Sequence, residues 1–157
     1  MVLRNPIDRA YSHYQHEVAL GYEGDSFEEA IKREFYVDGS NWIPQDLRSK
    51  GISEYVHHSY LSKGLYAKHL KPWLNCIPRD RFLMLKSEMF FDAPEKVMIN
   101  VFDFLGVSSV DKIAYRKYNE GNYDEINPEL RSRLHHFYEP FNRELSDLLK
   151  MNFSDWK

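Results

Sequence analysis

The stretch MVLRNPIDRAYSHY, residues 1–14, constrains the fold most. Two apolar residues run into Arg4-Asn5-Pro6, and helical apolar spacing begins at once. Asn is a strong N-cap, Pro is preorganised for the first helical turn, and an acid there complements the helix dipole. The pattern predicts a strand ending at about residue 3. A helix follows it through Ile7, Tyr11, Tyr14 and Val18, closed by Gly21. A strand delivered into a helix N-terminus is a building junction of α/β folds, and it offers free backbone N–H groups to an anion. Residues 4–12 are then either an ordinary junction or one side of an anion site.

The rest of the chain reads as mostly helical. Ser26 with Glu29 forms a capping-box pattern ahead of Ala30, Ile31 and Phe35. Residues 37–52 contain Gly39, Ser40, Pro44 and Gly51 and read as loop. Residues 53–74 read as helix, with breaks near Gly64 and before Pro72. Pro78-Arg79-Asp80 reads as a turn and RFLMLK, 81–86, as a short strand. Ser87-Glu88 starts a helical turn, and Ala93-Pro94-Glu95 starts a helix that Gly106 ends. Asn127-Pro128-Glu129 caps a last helix to about Leu149, expected to bend at Pro140. Two strands are too few for a complete α/β sheet covered on both faces. The fold class expected is therefore α/β, mostly helical in this chain, with few parallel strands.

Composition narrows the function. The 157 residues are 43% hydrophobic and 29% charged, which fits one globular domain and excludes a disordered chain. A formal net charge of −3 argues against general nucleic-acid binding while leaving room for a small basic pocket. With Cys76 as the single cysteine no intrachain disulfide can form, and the seven histidines have no cysteine pattern of a zinc site. No apolar run reaches the length of a membrane span, and no metal is expected.

Two segments carry candidate chemistry. Arg4 at the strand end and Ser12 on the helix can clamp a phosphate through charge-assisted hydrogen bonds; equally, Arg4 can pair with a carboxylate and Ser12 can pack. In YRKYNEGNYDEI, 115–126, Arg116 and Lys117 supply charge. Asn119, Gly121 and Asn122 supply a turn whose amides can wrap an anion, and Tyr123 can lie on a base or sugar. The same segment also reads as a solvated loop. His57-His58 and His135-His136 are adjacent pairs, which do not share a helix face and are poor chelates; packing or surface roles suit them better. Ser12 has no local His/Asp partners that would make it a nucleophile.

The order of these pieces resembles the sulfotransferase family that uses 3′-phosphoadenosine 5′-phosphosulfate, in its carbohydrate-type and bacterial branch. The resemblance is carried by Leu3-Arg4-Asn5-Pro6 with Arg9-Ala10-Tyr11-Ser12, by Gly64-x-Tyr66-Ala67 and Leu70-x-x-Trp73, and by Phe82-Leu83-x-Leu85-x-x-Glu88. Phe104-Leu105-Gly106, Asn119-x-Gly121-x-Tyr123 and Asn142-x-x-Leu145-x-x-Leu148-Leu149 complete it. It implies a P-loop-like α/β fold and sulfuryl transfer from that nucleotide to a hydroxyl or amine of a glycan or other small acceptor. Arg4 and Ser12 would hold the 3′-phosphate, and the 116–123 loop, with Lys117, Asn119, Gly121, Asn122 and Tyr123, would close over the nucleotide. This loop departs from the Lys-Gly-Arg pattern of some animal relatives. Tyr66, His69 and Trp73 lie where acceptor contacts or core packing are both plausible.

The resemblance also implies an N-terminal strand, a phosphosulfate-binding loop and an acid–base residue that no motif here matches, so the catalytic residue is left unassigned. The chain is expected to be the C-terminal portion, 1–157, of a sulfotransferase domain, a truncated product or fragment lacking the 5′-phosphosulfate site and inactive alone. A non-catalytic remnant that binds nucleotide or a partner is the alternative. A nucleotide kinase-like protein is a third reading, without a GxxxxGK[ST] loop to support it. Cytoplasm would be the compartment of a bacterial enzyme, and the Golgi lumen that of a eukaryotic one.

Overall fold

A computed structural model describes the chain apart from residues 39–40, 45–49, 111–112, 117–120 and 122, with backbone only for 35–38 and 41–44. It divides into two compact units, Met1–Arg4 with Trp73–Gly121, and Asn5–Pro72 with Asn122–Lys157.

The first unit is organised by strands β1 (Val2–Leu3) and β4 (Leu85–Lys86), paired in parallel with Val2 opposite Leu85 and Leu3 opposite Lys86. Leu85 N–H also donates to the Met1 carbonyl at 3.0 Å. The strand expected over 81–86 is thus confined to its last two residues. Two paired residues of β1 support no longer ladder, and Arg79–Arg81 winds into a 3₁₀ turn instead. Helix α5 (Ser87–Asp92) leaves β4 directly, and α6 (Pro94–Leu105) follows it with Pro94 in the first turn. Gly106 ends α6 at φ 66°, a left-handed conformation that glycine adopts without Cβ strain.

The second unit is built on helices α1 (Pro6–Ala19), α2 (Phe27–Lys32), α3 (Ile52–His58), α4 (Tyr66–Cys76, of which Tyr66–Pro72 belong here) and α7 (Pro128–Leu149). The caps follow the sequence. Asn5 Oδ1 accepts from Ile7 N–H at 3.0 Å, Ser26 Oγ from Glu29 N–H at 3.3 Å, and Asn127 Oδ1 from Glu129 and Leu130 N–H at 2.9 and 3.1 Å. The core joins Ile7 and Ala10 of α1 and Phe27, Ala30 and Ile31 of α2. Tyr60, Leu61 and Leu65 join them, with Leu130, Leu134 and Tyr138 of α7. Burying about a dozen such side chains at roughly 1.5–3 kcal/mol each is what holds the unit.

Three local expectations are corrected. Residues 35–44 form an antiparallel hairpin, β2 (Phe35–Asp38) with β3 (Asn41–Pro44), where Phe35 was expected on the preceding helix and residues 37–52 as loop. Strand-favouring Phe35, Tyr36, Val37, Trp42 and Ile43 outweigh the turn formers between them. Pro72 does not break α4: Lys68 and Pro72 are exposed, so solvent takes the carbonyl that a proline cannot bond. On α1, Val18 is exposed and Glu17 is buried in its place, because two histidines satisfy its carboxylate.

Candidate functional site

Helix α1 carries the candidate residue Ser12. Its cap is tied to the far end of the sequence, Asn5 Nδ2 donating to the Lys157 carbonyl at 3.3 Å. Asp8 pairs with Arg131 of α7 at 2.8 Å, and Arg131 also donates to the Lys157 carbonyl. Ser12 is half-buried on this helix, and its hydroxyl makes no hydrogen bond among the described residues. A hydroxyl in that state is available to a ligand oxygen. Arg4, half-buried at the end of β1, belongs to the first unit.

The ring of Tyr11, the residue before Ser12, gathers aromatic neighbours. Tyr14 stacks on it at 6.0 Å, Phe27 meets it edge-on at 5.1 Å, and Tyr123 meets it edge-on at 5.5 Å. The structure thereby brings the predicted Tyr123 onto the predicted helix. Between them opens a cavity of about 450 Å³, walled by Asp8, Tyr11, Tyr123, Asp124, Glu125 and Arg131 among others. Its described wall has three carboxylates against one guanidinium, already paired. The tyrosine faces suit a ring or sugar better than that wall suits a phosphate. Gly121 is exposed in the first unit, and Lys117, Asn119 and Asn122 lie outside the described residues.

The other predicted residues are placed as follows. Tyr66 stands 6.0 Å from the Trp156 ring, and His69 Nε2–H donates to the Ser62 carbonyl at 2.9 Å. Trp73, in the first unit, is exposed. His136 Nδ1–H donates to the Ser132 carbonyl at 2.7 Å.

A buried polar network beside α1 was not visible in the sequence. Glu34 is fully buried and accepts from the amides of Leu61 and Ser62 at 2.6 and 2.8 Å. Burial pushes its carboxyl above the usual range, against the pull of those bonds. Arg9 donates to the Tyr60 carbonyl and the Tyr138 hydroxyl to that of Leu61 at 2.7 Å, so three elements grip one segment of backbone. Tyr60 donates to Glu23 Oε2 at 2.9 Å, and burial raises its phenol. Burial alone would raise Glu23 too, but the Asp25 amide, the Tyr60 hydroxyl, Arg33 and the Gly24 amide hold it below the usual carboxylate range.

Glu17 is the second node, within 2.8 Å of His57 Nδ1 and 3.2 Å of His13 Nε2. Burial, with Lys63 and Arg9 adding, pushes His13 down to about 4. The His13/Glu17 spacing of four was a readable helix pair. The pairing of Glu17 with His57, forty residues on, had no sequence signal.

The family model described as "Sulfotransferase domain" matches residues 1–147, and the chain belongs to that family. Human carbohydrate sulfotransferase 15 is 25% identical over 171 residues, covering 100% of this chain and 30% of that protein. Mouse heparan sulfate glucosamine 3-O-sulfotransferase 3B1 is 27% identical over 177 residues, covering 98% and 42%. The crystal structure of a sulfotransferase from Alicyclobacillus acidocaldarius superposes with a TM-score of 0.76 at 28% identity, covering 99% of this chain and 55% of that one. The chain thus spans less than half the length of these two curated relatives. The expected mostly helical chain with a small parallel sheet is the fold found. Among the described residues no group of His, Cys, Asp or Glu could hold a metal ion, and no helix is long and apolar enough to cross a membrane.

Proposed function

We infer that the chain takes part in sulfuryl transfer from 3′-phosphoadenosine 5′-phosphosulfate to a hydroxyl or amine of a carbohydrate acceptor, and that it supplies the 3′-phosphate side of the donor site. Arg4 and Ser12 hold the 3′-phosphate. Tyr123, with the 116–123 loop, lies along the nucleoside. Transfer of this kind needs charge neutralisation and in-line positioning more than covalent help, by the logic of phosphoryl transfer. Family membership over residues 1–147 carries this reading. The unbonded Ser12 hydroxyl and the Tyr11–Tyr123 contact support it.

Calorimetric titration with adenosine 3′,5′-bisphosphate tests it. A charge-assisted hydrogen bond is worth about 1.5–3 kcal/mol, so Arg4→Ala and Ser12→Ala should each weaken binding by roughly tenfold or more. Absence of binding by the parent chain would leave the non-catalytic remnant.

A further inference from the structure

We propose that His58 is a proton-operated latch between helix α3 and the turn joining α1 to α2. The imidazolium bonds Glu54 and the Tyr22 carbonyl together, and the neutral ring bonds only one of them. This inference is independent of the sulfuryl-transfer reading. Helix α3 has no buried residue, and its Ile52 and Val56 are exposed, so apolar burial contributes little to its attachment. Polar contacts hold it instead. His58 Nδ1 lies 3.0 Å from Glu54 Oε2, and His58 Nε2 lies 3.2 Å from the Tyr22 carbonyl. An ionised carboxylate and a carbonyl only accept hydrogen bonds, so each contact needs a proton on the ring nitrogen that faces it. A neutral imidazole has one N–H and cannot donate to both, whereas the imidazolium can. The first contact stays within α3, and the second ties α3 to the body of the unit. A cation in the last turn of α3, where His58 stands, is also favoured by the helix dipole.

The charged neighbours come from each element around the ring. On α3, His58 faces Glu54 and, ring to ring at 6.4 Å, His57. His57 turns to Glu17 of α1 at 2.8 Å, and His13 meets the same carboxylate at 3.2 Å. The Tyr60 ring stands edge-on to His58 at 6.4 Å, its hydroxyl donating to Glu23, which pairs with Arg33. Lys63 donates to the Val56 carbonyl of α3 at 2.7 Å and lies over the Tyr55 ring. Between pH 8 and 5.5 it is the ordinary imidazole range that is crossed. His57 keeps its Nδ1–H bond to Glu17 in either charge state, so protonation adds attraction there but no bond. At His58 protonation adds a bond. The rest of the unit moves the other way in acid, because burial, with Lys63 and Arg9 adding, disfavours the His13 cation.

Native-state hydrogen exchange between pH 5.5 and 8 tests the latch, read as protection of the α3 amides against the intrinsic rate at each pH. One linked proton changes an opening equilibrium by at most about tenfold per pH unit, and a charge-assisted bond supports about tenfold in all. Protection of α3 should therefore rise about tenfold from pH 8 to pH 5.5, while that of the α7 amides does not rise. His58→Gln should flatten the α3 profile, and His57→Gln should keep most of the rise. A flat profile in the parent chain, or a rise that survives His58→Gln, would overturn the latch. NMR of the parent chain gives a second readout that needs no variant. At pH 5.5 both His58 ring nitrogens should carry protons, with an Overhauser contact from Nε2–H to the Tyr22 backbone. A doubly protonated ring without that contact would overturn the proposal equally.

Discussion

Gly64→Ala should destabilise the second unit by about 2–4 kcal/mol. An added Cβ would lie 2.7 Å from the Tyr138 hydroxyl, 2.9 Å from Pro6 Cβ and 3.0 Å from Tyr138 Cε1. Tyr138 cannot swing away freely, since it is fully buried and its hydroxyl donates to the Leu61 carbonyl at 2.7 Å. Overpacking of this kind costs about 1–3 kcal/mol, and a strained or broken hydrogen bond adds about 0.5–1.5 kcal/mol. Tyr138→Phe alone should cost about 0.5–1.5 kcal/mol, by removing one of the two donors to the Leu61 carbonyl and leaving it the Gly64 N–H. The double variant should cost less than the sum by about 1 kcal/mol, because removing the hydroxyl removes the nearest clash. Urea denaturation of the four proteins, with a shared slope, reads these differences. A Gly64→Ala variant within about 0.5 kcal/mol of wild type, or strict additivity, would refute the close-approach reasoning.

Further outcomes are expected. His13, neutral in the fold down to about 4 against 6.5 unfolded, binds fewer protons folded than unfolded, so stability is lost as pH falls through that window. The loss should approach about 3 kcal/mol at pH 4 and be absent from His13→Asn in a pH series of melts. Glu23 is held below the usual carboxylate range, so its stabilisation is present above 4.5 and lost on acidification, and Glu23→Gln should flatten that part of the acid transition. Glu34→Ala strands the buried Leu61 amide and the partly buried Ser62 amide and should cost about 2–4 kcal/mol by chemical denaturation. Trp156→Ala, removing a buried ring packed on Phe153 at 4.4 Å, should cost about 3–5 kcal/mol.

What the sequence made legible was local. The caps at Asn5, Ser26 and Asn127 and the left-handed Gly106 are decided by a few neighbouring residues, and each stands where the pattern put it. The hairpin was hidden because Gly39, Ser40 and Pro44 outweighed the apolar runs around them in a reading by turn formers. Glu17 was hidden for a deeper reason. Periodicity assigned the buried position to Val18, and His13 on the same helix together with His57 from α3 satisfies the buried carboxylate. Arg4, Ser12 and Tyr123 were proposed through the order of motifs along the chain, since a lone Arg or Ser has no spacing of its own that separates a clamp from a surface residue. The pairing of Glu17 with His57 needed three dimensions.

The role proposed for Ser12 and for Arg4 is recognition of a 3′-phosphate. Paired calorimetry of adenosine 3′,5′-bisphosphate and adenosine 5′-monophosphate tests it most directly. The 3′-phosphate should improve affinity about tenfold or more in the parent chain, and Ser12→Ala should erase most of that difference without lowering the melting temperature. Equal affinity for the two nucleotides, or a difference that survives Ser12→Ala and Arg4→Ala, would contradict it.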